Sequence, residues 1–352
     1  MQDLLTSRLR THLLAWSAYT ASAVVHHMLC LQAQDLTQNK WAIASRAWCS
    51  QDDIVSSFNA WEIVRTWTQR GTIHTVAAQD AWWLVKLCAS KTLWWFKKRR
   101  TYLSISDDIA EKALELISRY LVDWPKSRAD IGRYLTEAWI PMQSWWIYHL
   151  LCYAGTLWLT VQWPFVDWEQ LFVLAAQRIS SPQILSEEES LRELCLRYFS
   201  SHGPATIEDL QRRSWVSKTQ IKQWIAACGD QLLIENGYYF TSQQLGEEKK
   251  LPVVHFLAWF DEWLLGYKDR TATLAVEHHT WVDVSRNGVF KPTVMVDGKT
   301  IGVWSVKHKS KYSEVTITPF ETIDATTKEL LFDHIYRYQK YLAKEVVVFI
   351  VE

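Results

Sequence analysis

Residues 187–243 decide the fold, because they contain three helix signals followed by a hairpin signal. The stretch begins EEESLRELCLRYFSSHG, with apolar residues at helical spacing and a stop at Gly203. Thr206 is a helix cap before IEDLQRRS, SWVS supplies a short turn, and KTQIKQWIAACG is the third helix. LLIENGYYFTS indicates two strands joined by Asn236-Gly237, a pair typical of two-residue hairpin turns. This order predicts a winged helix-turn-helix.

Two further segments repeat this order. Residues 107–176 contain the helical patterns DDIAEKALELISRYL, SRADIGRYLTEA and PMQSWWIYHLLCYAG, and then the strands LWLTVQW and DWEQLFVL around Pro164. Residues 12–85 give a third copy, with TASAVVHHML and SQDDIVSSFNA as helices and RGTIHTV as a strand. Tandem winged helices place their third helices and wings side by side, and such elements commonly bind duplex DNA, although many of them contact only proteins.

From about residue 251 the apolar pattern changes to period two, in TATLAV, KPTVMVDGKTIGVWSVK and SEVTITPF. Asp297-Gly298 is a second hairpin turn, and the helix TTKELLFDHIYRYQKYLAK precedes a last strand, EVVVFIVE. We interpret this end as a small β-barrel or curled sheet. The expected fold class is α+β, with winged-helix units at 1–105, 106–185 and 186–247 and a β-barrel-like domain at 248–352.

Composition limits the class of protein. The 352 residues carry 38 Lys and Arg against 38 Asp and Glu, so the formal net charge is zero. A neutral chain does not by itself favour nucleic-acid binding, but a local basic patch is compatible with it. No apolar run approaches the roughly 18 residues of a membrane span, and the N-terminal MQDLLTSRLRTHLLAW has arginines where a signal peptide is apolar. We therefore expect a soluble, cytoplasmic protein.

Cysteine and histidine spacing predicts no metal site. The six cysteines contain no CxxC pair, which is typical of a reducing cytosol, and the 11 histidines show no HExxH or zinc-finger spacing. The pairs His26-His27 and His278-His279 have no evident ligand set and are interpreted as structural or exposed. No metal or organic cofactor is implied.

The stretch LCLQAQDLTQNKW, residues 29–41, places two carboxamides two positions apart behind a predicted helix. Residues i and i+2 point apart on a helix but share one side of an extended segment. Gln32 and Gln34 therefore share a side if the helix ends before them. The alternative is purely structural: Asp35 caps the next helix with Gln38 at its third position, a common short signal.

Five ordered blocks of the chain resemble the winged-helix DNA glycosylases of the AlkZ/YcaQ type, over roughly residues 10 to 305. The blocks are LQAQD, RTWTQRGTIHTV, SHGPATIEDL, FDEWLLGYKDR and FKPTVMVDGKTIGVW. The family releases alkylated purines, including those tethered in interstrand crosslinks, and its active-site pattern is Gln, an apolar residue, then Gln or Asp. The resemblance implies three winged helices around a concave DNA-binding face, a C-terminal β-domain, and Gln32 and Gln34 as the catalytic residues.

The implied chemistry suits two neutral amides. A carboxamide cannot act as a general acid or base at pH 7, but it can orient and polarise. An N7-alkylpurine carries a positive charge, so its glycosidic bond breaks without protonation by the enzyme. The remaining tasks are to place a water and to stabilise an oxocarbenium-like sugar. We expect a monomeric DNA repair glycosylase whose partner is double-stranded DNA with alkylated bases. The alternatives are a non-enzymatic winged-helix transcriptional regulator and a protein-interaction scaffold.

Three segments supply candidate DNA contacts. Near the active site implied by the resemblance, His74 shares one side of its predicted strand with two polar residues, although a hydrogen-bonded structural histidine is the alternative. KTLWWFKKRR is the best candidate for phosphate contacts, and a solvated basic loop is its alternative. KTIGVWSVKHKSK carries lysines around a hairpin. The candidate contacts are Arg70, Thr72, His74, Lys91, Lys97, Lys98, Arg99, Arg100, Lys299, Lys307, Lys309 and Lys311.

Asp261 and Glu262 in FDEWLLGYKDR offer paired carboxylates, which suggests acid–base chemistry. We favour the other interpretation, an internal ion-pair network that joins the C-terminal domain to the winged helices. Lys268 and Arg270 lie in the same block and could take part.

The tryptophan content is abnormal. The chain has 22 Trp and 11 Gly, whereas a chain of this length usually has roughly 25 Gly. Trp124 precedes Pro125, Trp139 ends a predicted helix, and glycine commonly occupies the family position held here by Trp215; Trp259 also stands where glycine is expected. Some bacterial lineages read UGA as glycine, and other codes read it as Trp. We hypothesise that some of these tryptophans are glycines in the native protein, against the alternative of a Trp-rich chain that packs its indoles. A native mass equal to the written 41.3 kDa would end the idea.

Overall fold

A computed structural model describes residues 4–15, 19–140, 142–143, 145–166, 169–242, 253–284 and 288–351. Its helices are α1 Leu4–Thr11, α2 Ala21–Met28, α3 Leu36–Ala47, α4 Gln51–Asn59, α5 Ala78–Leu103, α6 Asp107–Tyr120, α7 Arg128–Glu137, α8 Trp146–Thr156, α9 Ala175–Arg178, α10 Glu187–His202, α11 Ile207–Ser214, α12 Lys218–Cys228, α13 Glu262–Leu265, α14 His279–Val282 and α15 Ala325–Leu342. Its strands are β1 Cys30–Gln32, β2 Ile63–Trp67, β3 Ile73–Ala77, β4 Lys126–Ser127, β5 Thr160–Val166, β6 Glu169–Leu174, β7 Leu233–Glu235, β8 Tyr238–Phe240, β9 Val254–Leu257, β10 Thr293–Val296, β11 Lys299–His308, β12 Tyr312–Pro319 and β13 Glu345–Ile350.

The chain forms two compact units. The first contains residues 1–54 and 191–352, and the second contains residues 55–190. The predicted division into four domains remains a prediction, because compactness groups residues by packing and not by structural repeat. Within the described residues, no helix is both long enough and apolar enough to cross a membrane.

The second unit is built on antiparallel strands in the order β3-β2-β5-β6-β4. The predicted strand in RGTIHTV is β3, which pairs with β2 so that Thr66 lies opposite His74. The two predicted strands around Pro164 are β5 and β6. The basic segment KTLWWFKKRR belongs to the 26-residue helix α5, so the loop alternative for it is wrong.

Residues 187–240 adopt the predicted order of three helices and a hairpin. Thr206 and Ser217 begin α11 and α12 with reciprocal capping boxes, in which the third helical residue bonds back to the cap. Strands β7 and β8 are antiparallel and meet at Asn236-Gly237. Both turn residues have positive φ, 51° and 82°, as the two-residue turn requires. Local sequence signals therefore specify every element of this segment.

The C-terminal residues of the first unit form a five-stranded sheet in the order β13-β12-β11-β10-β9. Asp297-Gly298 joins β10 to β11 with φ values of 48° and 81°, which confirms the second hairpin turn. Strand β13 runs parallel to β12, and α15 connects them. In the described part of the chain β9 and β13 are the edges of this sheet, so the barrel-like closure is not confirmed.

The prediction that TATLAV, residues 271–276, is extended is wrong. The backbone N–H groups of Thr273 and Leu274 both donate to Arg270 O, at 2.9 and 2.8 Å, which closes a local turn. The Thr273 hydroxyl accepts from the indole of Trp263 and donates to Gly298 O, both at 2.6 Å. The alternation of apolar residues in this segment is therefore not the sign of a strand. Leu274 is buried, but it lies in a turn.

Candidate active site

The Gln-Ala-Gln segment leaves its helix as the sequence predicts. Helix α2 ends at Met28, and Leu29 has φ 67° and ψ −55°, which stops the helix from continuing. The next three residues are the short strand β1, so the chain is extended as far as Gln32. Asp35 then caps α3 by accepting from Gln38 N at 3.0 Å. The capping role and the aimed amides therefore coexist.

The structure brings Gln32 and Gln34 together. Gln32 Nε2 donates to Gln34 Oε1 at 2.5 Å, and Gln34 N donates to Gln32 Oε1 at 3.3 Å. Gln32 is 7% exposed, whereas Gln34 is exposed to solvent. The buried amide of Gln32 thus donates to the exposed amide of Gln34 and fixes its orientation. A carbonyl oxygen has two lone pairs, so the bond from Gln32 does not prevent Gln34 Oε1 from also accepting a water proton.

Two neighbours hold the backbone of this segment, and sequence reasoning missed both. Asn39 on α3 is 1% exposed, and its Nδ2 donates to Leu31 O at 3.3 Å and to Gln32 O at 2.9 Å. Arg213 on α11 donates to Cys30 O at 3.1 Å. The only local signal for Asn39 is a polar residue on a helix that is mostly buried, and Arg213 lies 183 positions from its partner.

Glu262 belongs to a buried ion pair, as the sequence predicts. Its carboxylate accepts from Arg213 Nε and Nη2, both at 2.8 Å, and lies 3.4 Å from His202 Nε2. Burial alone would raise the pKa of Glu262, but the charge of Arg213 and the contact with His202 hold that pKa well below its usual range. A carboxylate in this state has no proton to donate near neutral pH, so Glu262 is not a general acid.

Asp261 is held in the same way by a second buried arginine. Arg46 Nη1 and Nη2 donate to its two carboxylate oxygens at 2.9 and 2.8 Å. Asp261 also caps α13, accepting from Trp263 N at 2.9 Å. The prediction of an internal ion-pair network is confirmed, and it ties residues before position 54 to the C-terminal part of the first unit. Lys268 and Arg270 act elsewhere, since the backbone N of Lys268 donates to Asp209 and Arg270 Nε donates to Leu264 O.

In the second unit, the candidate contacts around β3 are less accessible than predicted. His74 is fully buried, and its Nδ1 lies 2.9 Å from Thr68 Oγ1 and 3.1 Å from Thr72 O. This arrangement fits the structural alternative for His74, and a fully buried ring has no surface for DNA. Arg70 and Thr72 are partly exposed, and Arg70 adopts φ 58° in the turn before β3.

The basic residues 97–100 on α5 differ in exposure, because each points in a different direction around the helix. Lys97, Lys98 and Arg99 are exposed. Arg100 is 8% exposed, its Nη2 lies 3.0 Å from Asp107 Oδ1, and its guanidinium packs over the Tyr153 ring. The structure therefore contradicts the choice of Arg100 as a phosphate contact, because its charge is already paired and covered.

The remaining lysine candidates lie on or near β11 in the first unit. Lys299 begins the strand, and its Nζ donates to Ala272 O at 2.8 Å. Lys307 lies near the other end, is exposed, and stands opposite Glu314 on β12. Lys309 forms an ion pair with Glu314 at 3.4 Å. Lys311 is exposed and precedes β12.

The paired histidines have structural contacts. His27 Nε2 donates to Thr11 O at 2.7 Å, and burial lowers the pKa of His27 to about 4. His26 contacts Arg197 through its ring and its carbonyl oxygen. His278 stacks on Phe320. Among the described residues, no group of three or more His, Cys, Asp and Glu side chains is arranged to hold a metal ion.

Comparison with known proteins decides the class. A family model described as "DNA glycosylase AlkZ-like" matches residues 25–341. This chain belongs to the AlkZ-like DNA glycosylase family. It is therefore an enzyme, a hydrolase that acts on N-glycosyl bonds, and the non-enzymatic regulator is no longer needed as an explanation.

Two relatives of the glycosylase come from Streptomyces sahachiroi. One, called "Interstrand DNA cross-link repair glycosylase", is 25% identical over 333 residues, which cover 86% of this chain and 85% of the relative. The solved structure of "Streptomyces sahachiroi DNA glycosylase AlkZ" matches with a TM-score of 0.82 at 21% identity, over 99% of this chain and 98% of that one. The structural match confirms the mixed α+β fold.

Proposed function

We propose that the glycosylase hydrolyses the N-glycosidic bond of cationic purines alkylated at N7 or N3, with Gln32 and Gln34 as its catalytic residues. The observation that carries the proposal is the carboxamide pair itself, held by a hydrogen bond between its members and exposed through Gln34. Asp261 and Glu262, which the sequence offered as alternative acid–base groups, are both occupied by arginines.

The chemistry that remains for two amides is to orient water and to stabilise positive charge. The carbonyl oxygen of Gln34 carries partial negative charge, and its bond from Gln32 fixes the direction in which that oxygen points. Such a preorganised dipole stabilises an oxocarbenium-like sugar without reorganising during the reaction. The alkylated purine leaves as a neutral base, so no proton donor is required.

We extend the proposal to purines tethered in interstrand crosslinks. The cleaved bond is the same N-glycosidic bond, and the curated Streptomyces relative is named for crosslink repair. A crosslinked base requires that the site accept a purine still attached to the opposite strand.

For DNA binding we propose three tandem winged helices that form a concave face, followed by the C-terminal β-domain. The order α10, α11, α12, β7 and β8 supports the third of these winged helices. Exposed Lys97, Lys98 and Arg99 on α5, together with Arg70, Thr72, Lys299 and Lys307, are the proposed DNA contacts. We also propose that the protein acts as a cytoplasmic monomer on double-stranded DNA.

The basic residues of α5 predict a salt-dependent effect. Reversing charge at Lys97, Lys98 and Arg99 should weaken binding to any duplex, because lysine and arginine bound to phosphates release counterions. The slope of log affinity against log salt should fall by about 0.9 for each phosphate that the variant no longer neutralises. A titration of fluorescent duplex across salt concentrations measures it.

The matched control reverses three other exposed charges of the same unit, Lys112, Arg119 and Arg133, which form surface ion pairs on α6 and α7. It changes the net charge by the same amount and should leave the slope near the parental value. Equal slopes for the α5 variant and the parent would place the DNA elsewhere.

The direct test of the function is release of base from duplex DNA containing N7-methylguanine by the purified protein. Free base and an abasic site should appear together, with no metal added. Tight DNA binding without release of 7-methylguanine would contradict the proposed substrate class.

A further inference from the structure

Five tryptophans occupy a backbone conformation that favours glycine. We propose that Trp48, Trp61, Trp139, Trp158 and Trp215 are glycines in the native protein. Their φ values are 57°, 60°, 63°, 65° and 63°, all in the left-handed region. Side chains with a Cβ rarely adopt this region, whereas glycine enters it freely.

All five residues stand just after a helix, at the position where a left-handed residue ends it. At Trp61, Trp139 and Trp158, the residue's own N–H donates three residues back and the next N–H donates five residues back, with distances of 2.9 to 3.1 Å. This pair of bonds defines a Schellman helix end. Glycine is the usual residue at its left-handed position.

Trp48 and Trp215 end α3 and α11 by the simpler left-handed motif. Each N–H donates four residues back, to Ala44 O and Gln211 O, both at 2.9 Å. Trp215 also lies in the turn between α11 and α12, where helix-turn-helix units often carry glycine.

The distribution of residues makes chance an inadequate explanation. In the described part of the chain, 13 non-glycine residues have positive φ, and five of them are Trp. At 22 Trp in 352 residues, chance would place about one there. Leu13, Ser104 and Ala343 also end helices with positive φ, so the position tolerates other residues. Gly229 also follows a helix, α12, with positive φ. Its ψ of −134° lies outside the left-handed helical region, so Gly229 is not another example of this helix end.

The side chains of these tryptophans contrast with those of buried ones. Trp139 is 93% exposed, so almost no burial compensates its backbone, whereas Trp48 is 49% exposed under Arg337 and Trp61 packs on Trp163. Trp83 and Trp263 are fully buried, and their indoles donate to Asp80 and Thr273. We therefore separate a set of true tryptophans from the five helix-end positions. Trp124 and Trp259 do not have positive φ, so the structure gives no reason to reassign them.

A UGA codon read as Trp by one code and as glycine by another would produce this pattern. The coding sequence should show UGA at the five helix-end positions and UGG at Trp83 and Trp263. Peptides of the native protein that span Trp139 and Trp215 should have the mass of glycine at those positions. UGG at most of the five positions, or native peptides with the mass of Trp, would overturn the proposal.

Stability of the recombinant protein supplies a second readout. A variant with glycine at all five positions should unfold at a higher denaturant concentration than the chain as written. The control places glycine at Trp94 and Trp95, exposed residues within α5, and should unfold at a lower concentration because glycine weakens a helix interior. A lower midpoint for the five-glycine variant would mean that these helix ends are adapted to Trp.

A separate observation concerns Asn39. We propose that Asn39 is a positioning residue for the reaction, which rests on the proposed catalytic role of Gln32 and Gln34. Its Nδ2 donates to the carbonyl oxygens of both Leu31 and Gln32. These bonds fix the peptide planes on either side of Gln32, and so they set the direction in which its amide meets Gln34.

Asn39→Asp tests this role with almost no change in shape. The ionised carboxylate accepts hydrogen bonds only, so it cannot bond either carbonyl oxygen, whereas the protonated acid donates one bond. Single-turnover excision of N7-methylguanine should fall about 10- to 100-fold at neutral pH, with the DNA dissociation constant nearly unchanged. Excision should recover as pH falls, and Asn39→Ala should show the loss without the recovery.

Parental rates for Asn39→Asp and Asn39→Ala would overturn the positioning role. A parent that releases no base would instead sink the proposed function. In that case hydrogen exchange still tests the geometry. The backbone N–H of Gln34 donates to Gln32 Oε1, so this N–H should lose protection in Asn39→Asp. Unchanged protection would mean that Asn39 does not order the segment. If Asn39→Ala fails to fold, Asn39→Asp at low pH decides the question.

Discussion

Gln34→Ala is expected to lower the single-turnover rate of base release about 100-fold, with little change in DNA affinity. The magnitude is typical for loss of one preorganised polar group that acts on the transition state. Gln34 is exposed, so its removal leaves no cavity and should not unfold the protein. A rapid-quench assay with saturating enzyme measures the rate, and a binding titration on the same DNA measures the affinity.

Gln32→Ala should cause a similar loss through the same bond. Because Gln32 orients Gln34, the double variant should lose less than the product of the two single losses. Gln38→Ala is the matched control: it removes a third amide of the same segment, whose Oε1 accepts from Trp259 N at 3.1 Å. The control should retain excision. Parental rates for both Gln32→Ala and Gln34→Ala would exclude this pair as the active site.

Elements with local signals could be predicted from the sequence. Capping at Thr206 and Asp35 and the turn at Asn236-Gly237 depend on residues within a few positions of each other, and all three appear as expected. The resemblance implied Gln32 and Gln34 as the catalytic residues, which stays a proposal, and the extended backbone after α2 brings their side chains together.

The partner residues in contacts between distant segments could not be predicted, even where the sequence indicated an ion-pair network. Nothing near Cys30 indicates that Arg213 will bind its carbonyl oxygen, and the position of Asn39 on a mostly buried helix does not indicate which carbonyl oxygens it will bind. The run Lys97 to Arg100 looked uniform, but helical spacing turns Arg100 towards Asp107 and leaves the others exposed. In each case the partner is chosen by tertiary packing, which sequence periodicity does not encode.

The proposed two-amide site also predicts which lesions are cut. N7-alkylguanine and N3-alkyladenine leave as neutral bases, so they need no proton from the enzyme. Hypoxanthine and 8-oxoguanine are uncharged in DNA, and their departure requires a general acid. Glu262 is not that acid, because Arg213 and His202 hold its pKa well below its usual range although burial opposes them. We expect release of 7-methylguanine and little or no release of hypoxanthine under the same single-turnover conditions.

The rate for 7-methylguanine should not fall steeply towards acid pH between about pH 5 and 9, because the proposed site contains no carboxylate base that acid would protonate. A loss of folded protein at low pH must be distinguished from a change in the rate of base release. Burial lowers the pKa of His27 to about 4 from 6.5, so between these values the unfolded chain binds a proton that the native protein does not. Stability therefore falls as pH drops through that window. Circular dichroism at each pH shows whether the protein is still folded.

Asp35→Asn decides between the two-amide mechanism and a carboxylate base. Asparagine caps helices about as well as aspartate, so α3 should remain intact. If the amides suffice, this variant excises 7-methylguanine at nearly the parental rate and with the same flat pH profile. Gln34→Glu should behave differently, since a carboxylate at that position introduces a group with an ordinary pKa of about 4.3 and hence a fall in rate towards acid pH. Comparable parental rates on 7-methylguanine and hypoxanthine would contradict the two-amide mechanism. A parental rate that falls towards acid pH, together with loss of activity in Asp35→Asn, would identify Asp35 as the catalytic carboxylate.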